Sequence, residues 1–112
     1  MQPLPDSALA VALLESLVDP VLFVDTEHRI RYMNAAAERH YSQGRALLDR
    51  SIFDCHNEES NRVIREVFAA LCAGETERRI TNNEKQQIFM RAVRDATGRL
   101  LGYYERYAPP GN

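Results

Sequence analysis

Leu9, Leu13, Leu14 and Leu17 recur at helical spacing behind Asp6 and Ser7, either of which can cap a helix. Asp19-Pro20 stops that helix, because the residue before a proline avoids the helical region. An apolar run at 21–25 and the alternation of charge and bulk at 29–33 read as two strands, with Thr26, Glu27 and His28 as the hairpin between them. Asn34 is placed to cap a short helix through Ala35, Ala36, Ala37, Glu38 and Arg39, and Gly44 marks its end. Beyond it, Leu47, Leu48, Ile52 and Phe53 are interrupted by Asp49, Arg50, Ser51 and Asp54, which predicts single helical turns in place of one long element. A longer helix is predicted over about 58–73. Asn57 caps it, Glu58 and Glu59 occupy its positive first turn, Gly74 follows its end, and Val63, Ile64, Val67, Phe68 and Leu71 form one stripe.

From Glu75 onward the period changes to that of strands, at 76–82, 87–94 and 99–107. A polar turn at 83–85 and the turn Asp95-Ala96-Thr97-Gly98 separate them, and Gly98 supplies the positive φ the second turn needs. The order of elements predicts an α+β domain: five antiparallel strands in one sheet, helices gathered on one side, and an amphipathic helix at the N-terminus. Residues 1–18, which open irregularly at Pro3 and Pro5, are assigned to the N-terminal helix, 19–107 to the domain proper, and 108–112 to an unstructured tail.

Composition narrows the class. A chain of 112 residues with 45% hydrophobic and 27% charged residues has room for one core and no second domain. The net charge of -2 comes from 14 basic and 16 acidic residues scattered without a block of one sign, so no concentrated basic face points to nucleic acid. The longest apolar run, 8–14, is too short to span a bilayer, and with Asp6 before it in place of Lys or Arg it does not read as an export signal. A cytoplasmic location is expected, with Cys55 and Cys72 as reduced thiols; their separation of 17 positions fits no metal-ligand spacing.

The segment Asp19-Pro20-Val21-Leu22-Phe23-Val24-Asp25, followed by Arg29-Ile30-Arg31-Tyr32-Met33-Asn34-Ala35-Ala36-Ala37-Glu38-Arg39, resembles the opening of a PAS domain. The middle segment Ser51-Ile52-Phe53-Asp54-Cys55-His56-Asn57-Glu58-Glu59 is similar to that family's bend before its long helix, and 93–102 to its last hairpin. The resemblance covers about residues 17–107 and implies a sensory or regulatory module. It departs from the pattern where His28 replaces a common turn glycine. It departs again where Tyr107 runs into Ala108-Pro109-Pro110 in place of an Asp-Ile-Thr-like motif feeding a helical linker. Output is therefore expected through association with another, unidentified signalling protein.

Within the resemblance, three functions are open. The first is a small-ligand pocket between the long helix and the inner sheet face, with Tyr32, Phe53, Ile64, Phe68, Ile80, Ile88, Met90 and Tyr104 as wall candidates; the alternative is that these residues simply fill the core. The second is heme: Cys55-His56 is similar to the bend of carbon-monoxide-sensing heme PAS regulators, where a histidine ligates iron. Against it, Arg78 and Arg79 stand where those regulators carry a methionine, and a histidine here also serves simply to pack the bend. The third is a ligand-free interaction module. In each case Leu9, Leu13 and Leu17 are expected to contribute to a homodimer contact, with Tyr103 or Tyr107 on the outer sheet face. No Asn-Cys motif for a flavin photosensor and no nucleophile with a base are seen, so an enzyme is not expected. His28 is read as a turn residue, His40 as a surface residue, and Cys72 as buried behind Leu71.

Overall fold

The computed structural model describes residues 6–111, so Pro3 and Pro5 lie outside the described residues. Helix α1 (Ser7–Ser16) is capped by Asp6, whose carboxylate accepts from the Leu9 amide at 2.8 Å. Strands β1 (Leu22–Asp25) and β2 (Ile30–Met33) form the first hairpin, and α2 (Ala35–His40) follows directly. Two single 3-10 turns, Gly44–Leu47 and Ile52–Cys55, lead to α3 (Glu58–Cys72), capped by Asn57. Strands β3 (Glu77–Asn82), β4 (Gln87–Arg94) and β5 (Leu100–Ala108) complete an antiparallel sheet in the order β2-β1-β5-β4-β3.

One face of the sheet carries the core. Leu22, Val24, Ile30, Met33, Met90 and Tyr103 pack against Ile64, Val67 and Leu71, which recur on α3 at i, i+3 and i+7. Ile30, Met33, Leu71 and Met90 are almost completely excluded from water, and each such side chain contributes roughly 1.5–3 kcal/mol of burial. Glycine is required at position 102, where β5 meets β1. A Cβ there would collide with the Val24 carbonyl oxygen and stand 2.9 Å from the Asp25 Cα, and backbone atoms cannot move aside.

Asn34 joins α1, β1 and α2. Its side-chain oxygen accepts from the Val21 amide at 3.0 Å and the Ala37 amide at 2.8 Å, while its Nδ2 donates to the Leu14 and Asp19 carbonyls at 3.0 and 3.1 Å. Fully buried, it satisfies all of its hydrogen-bonding capacity in this way.

Two expectations are revised. Helix α1 is apolar around its circumference, with Leu9, Val11 and Leu13 all exposed and only Leu14 and Glu15 half-buried; Leu17 is its extended C-cap and not part of the helix. It lies across the outer sheet face, opposite α2 and α3, where the Tyr32 hydroxyl donates to Glu15 at 2.7 Å. Ala108, Pro109 and Gly111 are also tied to the sheet and do not form a loose tail. Ala108 pairs with Gln87, the Gln87 side chain donates to the Pro109 carbonyl, and the Gly111 amide donates to Asn82. Among the described residues, no helix is long and apolar enough to cross a membrane.

Candidate ligand-binding site

Two clefts adjoin the C-terminal end of α2: one of about 320 Å³ between the first turns of α3 and the inner face of β3–β5, and one of about 160 Å³ between the two 3-10 turns and Leu22, Ile30 and Glu105 of β1, β2 and β5. They share three lining residues, Tyr41, His56 and Glu105. Each comes from a different element for a local reason. Tyr41 is the extended C-cap of α2, which turns its ring off the helix axis toward the sheet. His56 is the extended residue after the second 3-10 turn, and Glu105 alternates inward on β5 together with Tyr103 and Tyr107.

These groups form a short hydrogen-bonded chain. The Tyr41 and Tyr107 hydroxyls are 3.0 Å apart, and the Tyr107 hydroxyl donates to Glu105 Oε2 at 3.2 Å; Tyr41 is a longer 3.4 Å from the same oxygen. Burial, and then the negative charge of Glu105, raise the Tyr107 hydroxyl to about 12 and push Tyr41 higher still, so both remain protonated donors at neutral pH. The His40 ring packs edge-on against Tyr41 at 4.8 Å and against Tyr107 at 5.7 Å. His56 Nδ1 lies 3.0 Å from the Ile52 carbonyl, an acceptor, so Nδ1 carries the proton and the Nε2 lone pair is left available. Cys55 also lines the smaller cleft.

Of the predicted wall residues, Ile64, Ile80 and Ile88 line the larger cleft. The others do not. Met90 is 1% exposed and borders only a space of about 10 Å³, no larger than one water requires. Phe53 and Phe68 pack around the His28 ring, at centroid distances of 4.8 and 4.6 Å, and fill the core there. Tyr32 and Tyr104 point to the opposite sheet face, where they wall a separate apolar cleft of about 360 Å³ with Leu14, Leu17 and Phe23. Tyr103 and Tyr107, expected outside, are inside. The phase could not be read from alternation because bulges interrupt three of the strand pairings, between Phe23 and Val24, Arg79 and Thr81, and Val93 and Arg94.

His28 is the residue that sequence reasoning undervalued. It holds φ +66°, a conformation that favours glycine, and it directs its ring beneath α3 with Nδ1 2.9 Å from the Tyr103 hydroxyl. Its signal in the sequence was the departure from the usual turn glycine. Cys72 is exposed, contrary to expectation, as is Cys55. The described residues contain no group of three or more His, Cys, Asp or Glu side chains able to hold a metal ion.

A family model described as "PAS domain" matches residues 11–108 of this chain. The chain belongs to the PAS domain family. PAS domains are typically sensory or regulatory, and the five-stranded antiparallel sheet with its helices is a PAS-like α+β fold. The crystal structure of a C-terminal domain from Streptococcus mutans superposes with a TM-score of 0.77 at 20% identity, covering 96% of this chain and 90% of that one. An RNA-binding light-oxygen-voltage receptor superposes with a TM-score of 0.62 at 16% identity, covering 97% of this PAS domain but 36% of the receptor. No curated protein matches at the sequence level. At these identities the two structures share the fold.

Proposed function

We propose that this PAS domain is a cytoplasmic regulatory module in signal transduction that binds a small ligand in the paired clefts, works as a homodimer and signals to another protein. The observation that carries the ligand reading is the meeting of both clefts at Tyr41, His56 and Glu105, where polar groups converge beside a mostly apolar wall. The larger cleft is at the low end of the roughly 300–1,000 Å³ typical of ligand sites, which favours a small molecule. Native mass spectrometry of the protein from cell extract should show an added mass that denaturation releases. Ile88→Trp, which fills the larger cleft, should abolish that mass, and an unchanged mass in the variant would place the ligand elsewhere.

The dimer contact is assigned to α1 and its C-cap, where Leu9, Leu13 and Leu17 are 49%, 56% and 45% exposed. Leu13→Glu is expected to halve the mass measured by light scattering. An unchanged mass would remove α1 from the interface.

The geometry of His56 favours one second reading. A histidine whose Nδ1–H is held by a backbone carbonyl presents Nε2 as a metal ligand does, and here that ring lines both clefts. Heme ligation through His56 would give a Soret band on hemin titration that His56→Ala removes. Absence of the band leaves His56 holding the 3-10 turn.

A further inference from the structure

We infer that the ligand of the paired clefts is a small primary amine with an apolar body, whose ammonium group is held by Glu105. The inference rests on the ligand-site reading above and specifies its chemistry.

Charge is the first ground. The charged side chains lining the two clefts are Glu59 and Glu105; no Lys or Arg lines either one. Glu59 already pairs with Arg62 on the surface of α3. Glu105 has no cationic partner among the described residues, although it is half-buried on a strand of the inner face. A carboxylate partly withdrawn from water without a cation is a favourable place for a ligand that brings one.

Hydrogen bonding is the second ground. Both tyrosine contacts fall on Glu105 Oε2, and among the described residues Oε1 receives no hydrogen bond. An ammonium group supplies donors for that oxygen, and the Tyr41–Tyr107 hydroxyl pair fixes the carboxylate plane before the ligand arrives. The same arrangement repels an anionic ligand. The rest of the larger cleft is mostly hydrocarbon, with Val63, Ile64, Ile80 and Ile88 beside Ser60 and Thr81, and the Tyr41 and Tyr107 rings border the carboxylate as aromatic surfaces that tolerate a cation.

The test uses matched probes on the whole chain. Phenethylamine, isoamylamine and cyclohexylmethylamine are each titrated beside the alcohol and the carboxylate of the same skeleton, with amide and methyl NMR shifts as the readout. Amines should shift the Ile80, Ile88 and Tyr107 resonances at concentrations roughly ten- to a hundredfold below those of the alcohols, the range of one charge-assisted hydrogen bond. Glu105→Gln, which keeps shape and removes charge, should erase that preference, so that the amine and the alcohol of one skeleton bind alike. Carboxylates binding as tightly as the amines, or a preference that survives in Glu105→Gln, would overturn the amine assignment and leave the cleft as a ligand site. No cleft shift with any probe up to about 10 mM, weaker than any useful recognition, would overturn the ligand-site reading with it.

Discussion

His28 shows how one side chain can commit both backbone and core. Its positive φ would suit glycine, and a bulky residue there carries strain of roughly 1–3 kcal/mol. In return the ring fills the space between Phe53, Phe68 and Tyr103. Burial lowers its pKa from 6.5; the nearby Asp25 carboxylate partly opposes this, and the Arg65 guanidinium adds to it. The native state therefore binds the imidazole proton less readily than the unfolded chain does. Stability from this group is present above 6.5 and is lost as pH falls through the lowered native value. Urea unfolding midpoints should fall between about pH 7.5 and about pH 5.5, above the range where carboxylates titrate, and His28→Gln should flatten that slope even though it lowers the midpoint itself. An equal slope in the variant would assign the proton to another group. Nothing in a single sequence separates such a histidine from an exposed turn residue, since both occupy the same three-residue hairpin; only the presence of an aromatic floor below it does.

At the scale of elements, Asn34 ties the end of α1, the start of β1 and the first turn of α2 through four hydrogen bonds. Asn34→Ala would leave the Val21 and Ala37 amides and the Asp19 carbonyl without their side-chain partner, while the Leu14 carbonyl keeps the Leu17 amide, with an expected loss of about 2–4 kcal/mol in equilibrium unfolding. A loss under about 1 kcal/mol would mean that water reaches those groups. This cap was legible, as were Asn57 before α3 and both ends of β4, because capping and turn chemistry act within a few residues. Which face of a strand points inward was less so. Two adjacent tyrosines at 103 and 104 look alike in sequence, yet one is 3% exposed under α3 and the other walls the cleft beneath α1. The bulged registers that set this phase are tertiary features. The candidate site suffered most from this: three of the expected wall isoleucines and the possible heme ligand His56 line the clefts, while sequence reasoning singles out neither Tyr41 nor Glu105 and expects Tyr107 on the outer face.

For the whole molecule, the sheet order places the last strand in the middle. Strand β5 pairs with β1 on one side and β4 on the other, so the hairpins β1–β2 and β3–β4 have no direct pairing with each other. Two-stranded hairpins are marginal alone in water. A chain ending at Arg99 should therefore show no cooperative thermal transition by circular dichroism, whereas the full chain should melt in one step; a cooperative transition in the short form would mean that α3 alone organises the two hairpins. The same topology governs how the protein emerges from the ribosome. Strands β1 to β4 all precede the central strand, which begins at Leu100, so the sheet cannot close until that segment has been synthesised, and the apolar faces of two incomplete halves wait in the exit vestibule for the strand that joins them.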